Sequence, residues 1–373
     1  MAQADLAQRA KSLLDELALA PRFSGSVEES GARALCRAEL ERAGFECREL
    51  PFEYSQWPGR WGPPIAAAFQ AATILAVAHM AVHYGPLAAL VVGAALLSAL
   101  IFASGDAKRR WTAQLPLHRA RSANLEAKRG NPEVWLVAHV DSKSQTVPML
   151  IRIASSVALA IITALSFIVL LLSLVGLSLV VPVWHALAIG AIVGVLPSML
   201  CFVRNESNGA VDNASGVVAI LLAAQSASAP RDLGVLITSG EELGLAGARA
   251  WAGAHAWADS AQPGIKVLNC DTVDDAGAWR CMHTGPRPKR IAAAAETIAG
   301  GLGVRLPMGR LIPGILADSM AFADLGIDAV TLSRGTLSTL ARIHTRRDNS
   351  NALTGTGAAE ASVLLSALAK ELG

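Results

Sequence analysis

The stretch "LGVLITSGEELGLAGARA", residues Leu233 to Ala250, has the pattern of a buried strand, a turn and the start of a helix. Apolar and β-branched residues lead into Ser-Gly, which is typical of a strand that ends in a turn. Glu241 and Glu242 stand side by side directly after this turn. Adjacent carboxylates repel one another at neutral pH, so this part of the fold has to contain something that makes the pair tolerable.

The remaining polar sequence repeats this alternation of strands and helices. The other predicted strands are "EVWLVAHV", "GIKVLNCD" and "DAVTLS", and the predicted helices are "ASGVVAILLAAQSA", "LAGARAWAGAHA", "KRIAAAAETIAGGLG", "SMAFADLG" and "GAAEASVLLSALAKEL". Such alternation favours strands that run parallel, because each helix returns the chain to the same end of the sheet. The sequence therefore predicts an α/β fold with a mostly parallel central sheet and helices on both faces.

Two long segments lack charged residues. The chain of 373 residues is 53% hydrophobic and only 17% charged, whereas about a quarter of the residues in a soluble domain are charged. No Asp, Glu, Lys or Arg occurs from Trp61 to Gly105 or from Ile153 to Val203. A membrane helix needs about 20 apolar residues, so each segment predicts a hairpin of two transmembrane helices, with turns near Tyr84-Gly85-Pro86 and near Val181-Pro182-Val183. Uncharged runs of this length disfavour the alternative, which is a set of core helices in a soluble protein.

These segments predict a polar domain interrupted by two inserted hairpins. The polar domain comprises 1–60, 106–152 and 204–373, and the hairpins comprise 61–105 and 153–203. Basic residues flank the hairpins on the side of the polar domain: Arg60, Lys108, Arg109, Arg110, Arg152 and Arg204. By the positive-inside rule, we expect a multi-pass integral membrane protein in the lipid bilayer with its polar domain in the cytoplasm.

Composition excludes some classes of function. A net charge of +2 and the lack of a basic stripe with aromatic residues give no indication of nucleic-acid binding. Five cysteines without close pairing predict neither a disulfide framework nor a zinc knuckle. The oligomeric state is not indicated by any pattern.

Residues that commonly bind metals follow the predicted strands. In open α/β sheets the reactive groups gather at the carboxyl ends of the strands. The residues that fall at such positions, or in the loops beside them, are His139, Asp141, Asp212, Glu241, Glu242, Asp271 and His344. Each has an ordinary explanation alone; Asp212, for example, fits a helix N-cap. Their coincidence at one edge of one sheet favours a metal site.

A pair of zinc ions would explain the two adjacent glutamates. Zinc binds histidine nitrogen and carboxylate oxygen, and two ions that share one carboxylate need about five protein ligands and hold a reactive water. Five ligands are available here, with one acidic group left over. One glutamate of the pair would bind metal, its neighbour would take a proton from the water, and the metal charge would offset their repulsion.

Five motifs in this order resemble the metal-site motifs of the M28 family of zinc aminopeptidases. They are "AHVDS", "VDNASGVVAILLAA", "SGEELGLAGA", "LNCDTV" and "IHTRRD". The N-terminal segment that begins "PRFSGSVEESG" is also similar to that of the family. The resemblance covers essentially all of the polar domain and implies a di-zinc exopeptidase of the aminopeptidase type that hydrolyses a peptide substrate. With the two predicted hairpins, this enzyme would be membrane-embedded.

The resemblance also implies a role for each residue. The ligands would be His139, Asp212 and Asp271 for one Zn²⁺, and Asp212, Glu242 and His344 for the other. Glu241 would be the general base. Asp141 would accept a hydrogen bond from His139 and fix its tautomer, and Asp348 would order the loop that presents His344.

Other functions stay open at this point. "HVDSK" is similar to the glutaminyl-peptide cyclotransferases, which share the fold but use one zinc. A catalytically silent membrane scaffold is a further alternative, although no ligand is missing. A transporter is disfavoured, because four uncharged spans offer no path to a polar solute.

The sequence departs from the family in two respects. The hairpins are additions to the common soluble fold, and they either anchor the protein or also shape access of substrate. The family often uses a tyrosine to stabilise the oxyanion, but this chain has only Tyr54 and Tyr84, and His283 is a candidate substitute. The end of the peptide that is recognised is not decided by spacing. The candidates to bind a peptide terminus are Arg305, Arg310, Arg334 and Arg342 for a carboxylate and Asp318 for an amine.

Overall fold

The computed structural model describes residues 3–104, 116–177, 181–256, 264–312 and 314–373. The chain divides into two compact units. The polar unit contains Met1–Tyr54, His118–Ser144 and Arg204–Gly373, and the apolar unit contains Ser55–Leu117 and Gln145–Val203. The flanking residues Lys108, Arg109 and Arg110 lie outside the described residues.

The strands and helices alternate along the polar unit. Its helices are α1 Gln3–Leu17, α2 Val27–Arg42, α7 Ser215–Gln225, α8 Ala246–Ala256, α9 Lys289–Leu302, α10 Ser319–Ala323, α11 Leu337–Arg342 and α12 Thr356–Leu372. The strands of its sheet are β1 Glu46–Ser55, β2 Arg119–Arg129, β3 Val134–His139, β6 Leu233–Thr238, β7 Lys266–Val273, β8 Ala278–His283, β9 Met308–Arg310 and β10 Asp328–Gly335. Two short strands, β4 Ser144–Gln145 and β5 Val203–Arg204, form a separate two-stranded sheet.

The central sheet has the order β1-β2-β6-β3-β7-β10-β8-β9. Its four middle strands, β6, β3, β7 and β10, are parallel to their neighbours in this group, whereas β2 and β8 pair antiparallel on either side of it. The α/β fold with a mostly parallel sheet is therefore confirmed. Because the middle strands are parallel, their carboxyl ends meet at one edge of the sheet.

Helices cover both faces of this sheet. On one face, Trp135 and Val137 of β3 pack with Trp251 of α8 and Phe322 of α10. On the other face lies α7, whose residues are buried from Ser215 to Ala224 and which packs against α12 and β7. The sequence of α7 is apolar on all sides, and a helix of this kind needs complete burial.

The apolar unit consists of helices α3 Trp57–Tyr84, α4 Pro86–Ser104, α5 Met149–Leu174 and α6 Val181–Met199. Three of them, α3, α5 and α6, are long and apolar enough to cross a membrane, and α4 is a shorter apolar helix over its described residues Pro86–Ala99. The turn near Gly85 lies where it was predicted. A second turn was predicted at 181–183, but α6 already begins at Val181, because proline is tolerated in the first turn of a helix.

Polar contacts lie between the helices of the apolar unit. Gln70 Nε2 donates to Thr163 Oγ1 at 3.1 Å, and the Ser155 hydroxyl lies 2.8 Å from that of Ser198. Large aliphatic side chains such as Ile168 are more than half exposed on the outside. The unit thus places hydrogen bonds inside and aliphatic surface outside.

Candidate metal centre

The parallel strands bring three parts of the predicted site together. His139 is the last residue of β3, Asp271 lies near the end of β7, and Glu241 and Glu242 form a short 3-10 turn after β6. Since β6, β3 and β7 are consecutive neighbours in the sheet, their carboxyl ends place these side chains at the same edge.

Asp212 lies in a turn, Ala210–Ala214, that precedes α7. Its backbone is not helical, with φ −118° and ψ 87°, and its peptide bond to Asn213 is cis. Asp212 does not cap the helix. The Asn213 side chain accepts from the backbone N–H of Gly216 at 3.1 Å instead, so the Asp212 carboxylate faces the two histidines.

Two groups of three side chains share Asp212. In the first, His139 Nε2 lies 3.3 Å from Asp212 Oδ1 and 3.6 Å from Asp271 Oδ1. In the second, His344 Nε2 lies 3.1 Å from Asp212 Oδ2 and 3.3 Å from Glu242 Oε1. Within each group the ligand atoms all lie within 4.8 Å of one another, and all five residues are buried. The structure thus brings together all five residues that were predicted to bind metal.

The donor atoms are better placed to bind a metal ion than to form hydrogen bonds with one another. His139 Nε2 is buried among carboxylate oxygens, yet it makes no well-directed hydrogen bond within the described part of the chain. Buried polar atoms normally have a partner. Two carboxylates and one imidazole in each group match the ligand preferences of Zn²⁺, so the residues present fit two zinc ions.

Glu241 belongs to neither group. Its Oε2 lies 3.9 Å from His139 Nε2. Burial raises the pKa of Glu241 well above its usual range, and the carboxylates of Glu242 and Asp271 add to this against the opposing effect of His139. A buried carboxyl group beside a metal site, with a raised pKa, is suited to accept and return a proton.

Asp141 contacts His139 through its main chain and the glutamate turn through its side chain. His139 Nδ1 lies 3.0 Å from the main-chain oxygen of Asp141 and 3.7 Å from its carboxylate. The carboxylate accepts instead from the backbone N–H groups of Glu241 and Glu242, both at 3.3 Å. The predicted contact of His139 with Asp141 is therefore made by the main-chain oxygen, and the Asp141 side chain instead holds the glutamate turn in place.

Asp348 connects the loop of His344 to the turn of Asp212. Its carboxylate accepts from the backbone N–H of Val211 at 2.7 Å and from that of Asp212 at 3.2 Å. Burial raises the pKa of Asp348 to about 7. This side chain thus orders the segment that carries the shared ligand, in addition to its own loop.

Near the site lie Lys143 and Arg22, which were not assigned a role there from the sequence, and Asp318, which was a candidate to bind an amine. Lys143 Nζ lies 2.7 Å from Glu242 Oε2 and donates to the Glu242 main-chain oxygen at 3.0 Å. Asp318 is fully buried and accepts a hydrogen bond from Thr238, and burial raises its pKa to about 6. The guanidinium group of Arg22 is buried beneath the loops of His139 and Asp212. Lys143 carried a signal as the last residue of "HVDSK", and Arg22 as the second residue of "PRFSGSVEESG".

His283, the candidate substitute for an oxyanion-stabilising tyrosine, lies away from the centre. His283 ends β8, which runs antiparallel to β10, so it lies at the opposite edge of the sheet. The Tyr54 hydroxyl donates to Ser24 Oγ at 2.7 Å, and Tyr84 belongs to the apolar unit.

Among the candidate carboxylate-binding arginines, two form ion pairs. Arg334 pairs with Glu360 and Arg342 with Asp274. Arg305 lines an open cavity of about 480 Å³ together with Arg280.

Known structures of similar fold include aminopeptidases and glutaminyl cyclases. The aminopeptidase from Aneurinibacillus sp. strain AM-1 is 15% identical with a TM-score of 0.55, over 97% of this chain and 92% of that one. The Fimbriiglobus ruber glutaminyl cyclase is 13% identical with a TM-score of 0.56, over 98% and 95%. The zinc aminopeptidase BSAP from Bacillus subtilis is 15% identical with a TM-score of 0.53, over 97% and 94%. At these identities the likeness shows the fold.

The sequence comparisons give the family. No curated protein matches the chain significantly. The family model described as "Peptidase family M28" matches residues 122–369, which is well over half of the chain and includes all of the residues of both metal groups. The chain belongs to peptidase family M28.

Proposed function

We propose that this protein is a membrane-embedded di-zinc exopeptidase that removes N-terminal residues from peptides, with Glu241 as its general base. The observation that carries this proposal is the pair of ligand groups that share Asp212 while one acidic residue beside them is left over. Membership of family M28 supports the hydrolase class, and the aminopeptidases of the same fold support the type.

Each ligand group would hold one Zn²⁺. When bound, zinc supplies a Lewis acid for the scissile carbonyl and lowers the pKa of a water molecule. Glu241 would accept a proton from the attacking water and return it to the leaving amine. The turn that carries Glu241 is held by the Asp141 carboxylate through two backbone N–H groups, so the base has a fixed position relative to both metal groups.

The apolar unit would span the membrane. Its three long apolar helices, its exposed aliphatic surface and its internal hydrogen bonds support this assignment. The basic residues beside the hairpins favour a cytoplasmic site for the polar unit. Labelling of single introduced cysteines in intact cells tests this, because reagents that do not cross the membrane would leave the polar unit unlabelled until the cells are opened.

Lys143 favours a second candidate, a glutaminyl cyclase. Its ammonium group already neutralises one oxygen of Glu242, which weakens the demand for a second metal ion there, and cyclases are among the structures of similar fold. Such an enzyme would need one zinc ion and would release ammonia from an N-terminal glutamine. Metal content distinguishes the two: we expect about two zinc ions per chain for the peptidase and one for the cyclase.

The decisive experiment is mass spectrometry of a peptide library incubated with the full-length, zinc-loaded protein in detergent. We expect loss of single N-terminal residues. Glu241→Gln should reduce the rate by about 10²–10⁴-fold, since that is the usual contribution of a general base, and should keep the zinc content of the wild type.

Each alternative gives a different result in the same experiment. Loss of residues from the carboxyl end would make the enzyme a carboxypeptidase. A decrease of about 17 daltons, which is the mass of ammonia, on peptides with N-terminal glutamine would establish the cyclase. Unchanged activity of Glu241→Gln would show that another group is the base.

A further inference from the structure

Arg22 is a buried cation whose guanidinium group contacts three chain segments. Its side chain is only 1% exposed. Nε donates to the main-chain oxygen of Val140 at 2.8 Å, and Nη2 donates to that of Gly209 at 3.0 Å. Nη1 donates to the main-chain oxygens of Leu17 at 2.7 Å and Asn208 at 2.5 Å. Four of the five N–H groups of the guanidinium group therefore donate to main-chain oxygens.

The charge of Arg22 has no direct counter-ion in the part of the chain that the structure describes. Within the described residues, none of the hydrogen bonds of its guanidinium group goes to a carboxylate. Burial lowers the pKa of Arg22 to about 10, while the nearby carboxylates of Asp348, Asp141 and Asp212 oppose this, so the group is charged at neutral pH. A buried charge destabilises the folded state unless it is compensated. We therefore expect the hydrogen bonds of Arg22 to have a specific role.

The contacted segments carry two ligands of the first metal group. Val140 directly follows His139, and Gly209 lies three residues before Asp212. The main chain of Arg22 adds two bonds to the first segment: its N–H donates to Ser142 Oγ and its oxygen accepts from the Ser142 N–H, both at 2.9 Å.

We propose that Arg22 is a positioning residue that fixes His139 relative to Asp212, and so sets the geometry of the first metal group. Nε holds the segment of one ligand while Nη2 holds the segment of the other, and the planar fork keeps the two at a constant separation. Arg22 touches neither metal ligand with its hydrogen bonds and acts through the main chain. This inference rests on the proposed function, because it assumes that the first group binds zinc.

A positioning role and a purely electrostatic role of Arg22 predict opposite effects of its substitution on zinc binding. If Arg22 acted only through its charge, its removal would strengthen the binding of a cation beside it. If Arg22 positions the ligands, a loss of the fork weakens binding even when the charge is kept. Arg22→Lys keeps the charge without the fork, and Arg22→Met removes both.

The test is zinc titration by calorimetry of the full-length protein in detergent, in two backgrounds. Glu242→Gln leaves only the first group complete, and Asp271→Asn leaves only the second. We expect Arg22→Lys and Arg22→Met to weaken zinc binding about 10- to 100-fold in the Glu242→Gln background, as is usual when a group that supports metal ligands is lost. The effect in the Asp271→Asn background should be smaller. Arg287→Gln, which removes an exposed ion pair with Glu296, is the matched control and should change neither.

Ser142→Ala is a second variant that decides the question if the substitutions at Arg22 do not fold. It removes the bond from the Arg22 N–H and the bond from Ser142 Oγ to the main-chain oxygen of Ser207, so binding to the first group should weaken in the same direction but less. Unchanged or tighter binding in Arg22→Lys, or unchanged binding in Ser142→Ala if Arg22→Lys does not fold, overturns the inference. An absence of zinc binding by the wild type would instead overturn the proposed function.

Discussion

The two metal groups have the same kinds of donor atoms but different supports. The first group is His139, Asp212 and Asp271, and the second is Asp212, Glu242 and His344. The first takes two of its ligands from strands, β3 and β7, whereas the second takes two from loops. The second also has a cation of its own in Lys143, 2.7 Å from Glu242 Oε2.

This difference predicts unequal affinities. A lysine that already neutralises a ligand carboxylate competes with the charge of a metal ion, whereas the first group has no ammonium group in contact with its ligands within the described residues. Burial raises the pKa of Glu242, but the charges of His344 and Lys143 outweigh this and hold it below the usual value. We therefore expect the first group to bind zinc more tightly than the second.

The largest expected effect is that of Asp212→Asn, because this substitution removes a ligand from both groups. Loss of residues that merely support metal ligands already costs about 10- to 100-fold in affinity, so loss of the shared ligand should exceed 100-fold for each ion. Metal analysis after dialysis should find less than one zinc ion per chain, and peptide hydrolysis should be abolished.

Two single substitutions separate the groups. Asp271→Asn should release the ion of the first group alone, and Glu242→Gln that of the second alone. Each variant should retain about one zinc ion per chain. If Asp212→Asn retained as much zinc as these two variants, Asp212 would not be the shared ligand.

Lys143→Gln should reduce the difference in zinc affinity between the two metal groups. Removal of a positive charge in contact with Glu242 makes that carboxylate a better ligand, and a shift of one pK unit in such an interaction corresponds to about tenfold in affinity. Competition with a zinc indicator should show tighter binding of the second ion and no change in the first. Weaker binding of the second ion would mean that Lys143 chiefly positions Glu242 through its bond to the main-chain oxygen.

The fold was predictable because its signals are local. Apolar runs such as "LGVLITS" match β6, and the fully apolar "SGVVAILLAA" matches α7. The first apolar segment was predictable in the same way, since the turn at Gly85 separates α3 from α4. The first residues of the helices were less predictable. The uncharged segments begin at Trp61 and Ile153, but α3 begins at Trp57 and α5 at Met149, because a helix can extend into neighbouring sequence that contains charged residues.

The positions of the ligands followed from strand ends, but their support did not. Parallel strands place His139 and Asp271 together by topology alone. The contacts of Arg22 and Asp348 join main-chain atoms that lie more than 100 residues away in sequence, and no local pattern specifies them. The same holds for Asp141: the sequence indicated the residue that contacts His139, but no local pattern indicates that its main-chain oxygen makes this contact.

The smallest expected effect is a difference in the pH dependence of stability with and without zinc. Burial raises the pKa of Asp141 and of Asp348 to about 7, compared with about 3.9 in an unfolded chain. Without metal, these two carboxyl groups keep protons on folding that the unfolded chain has released. The stability that they contribute is complete below about pH 4 and is lost as the pH rises through about 7. The depressed pKa values of Asp212 and Glu242 act in the opposite sense, but at lower pH.

With zinc, the sign should reverse. Metal ligands have to be deprotonated, so zinc binds more tightly as the pH rises, and tighter binding to the folded state adds stability. Between pH 5.5 and 8 we therefore expect the Tm of the chelator-treated protein to fall and that of the zinc-loaded protein to rise. A change of about 1 kcal/mol shifts the Tm of a domain of this size by about 2–4 °C, so a difference of several degrees between the two slopes is measurable by circular dichroism. Parallel slopes would mean that the buried carboxyl groups are not coupled to the metal.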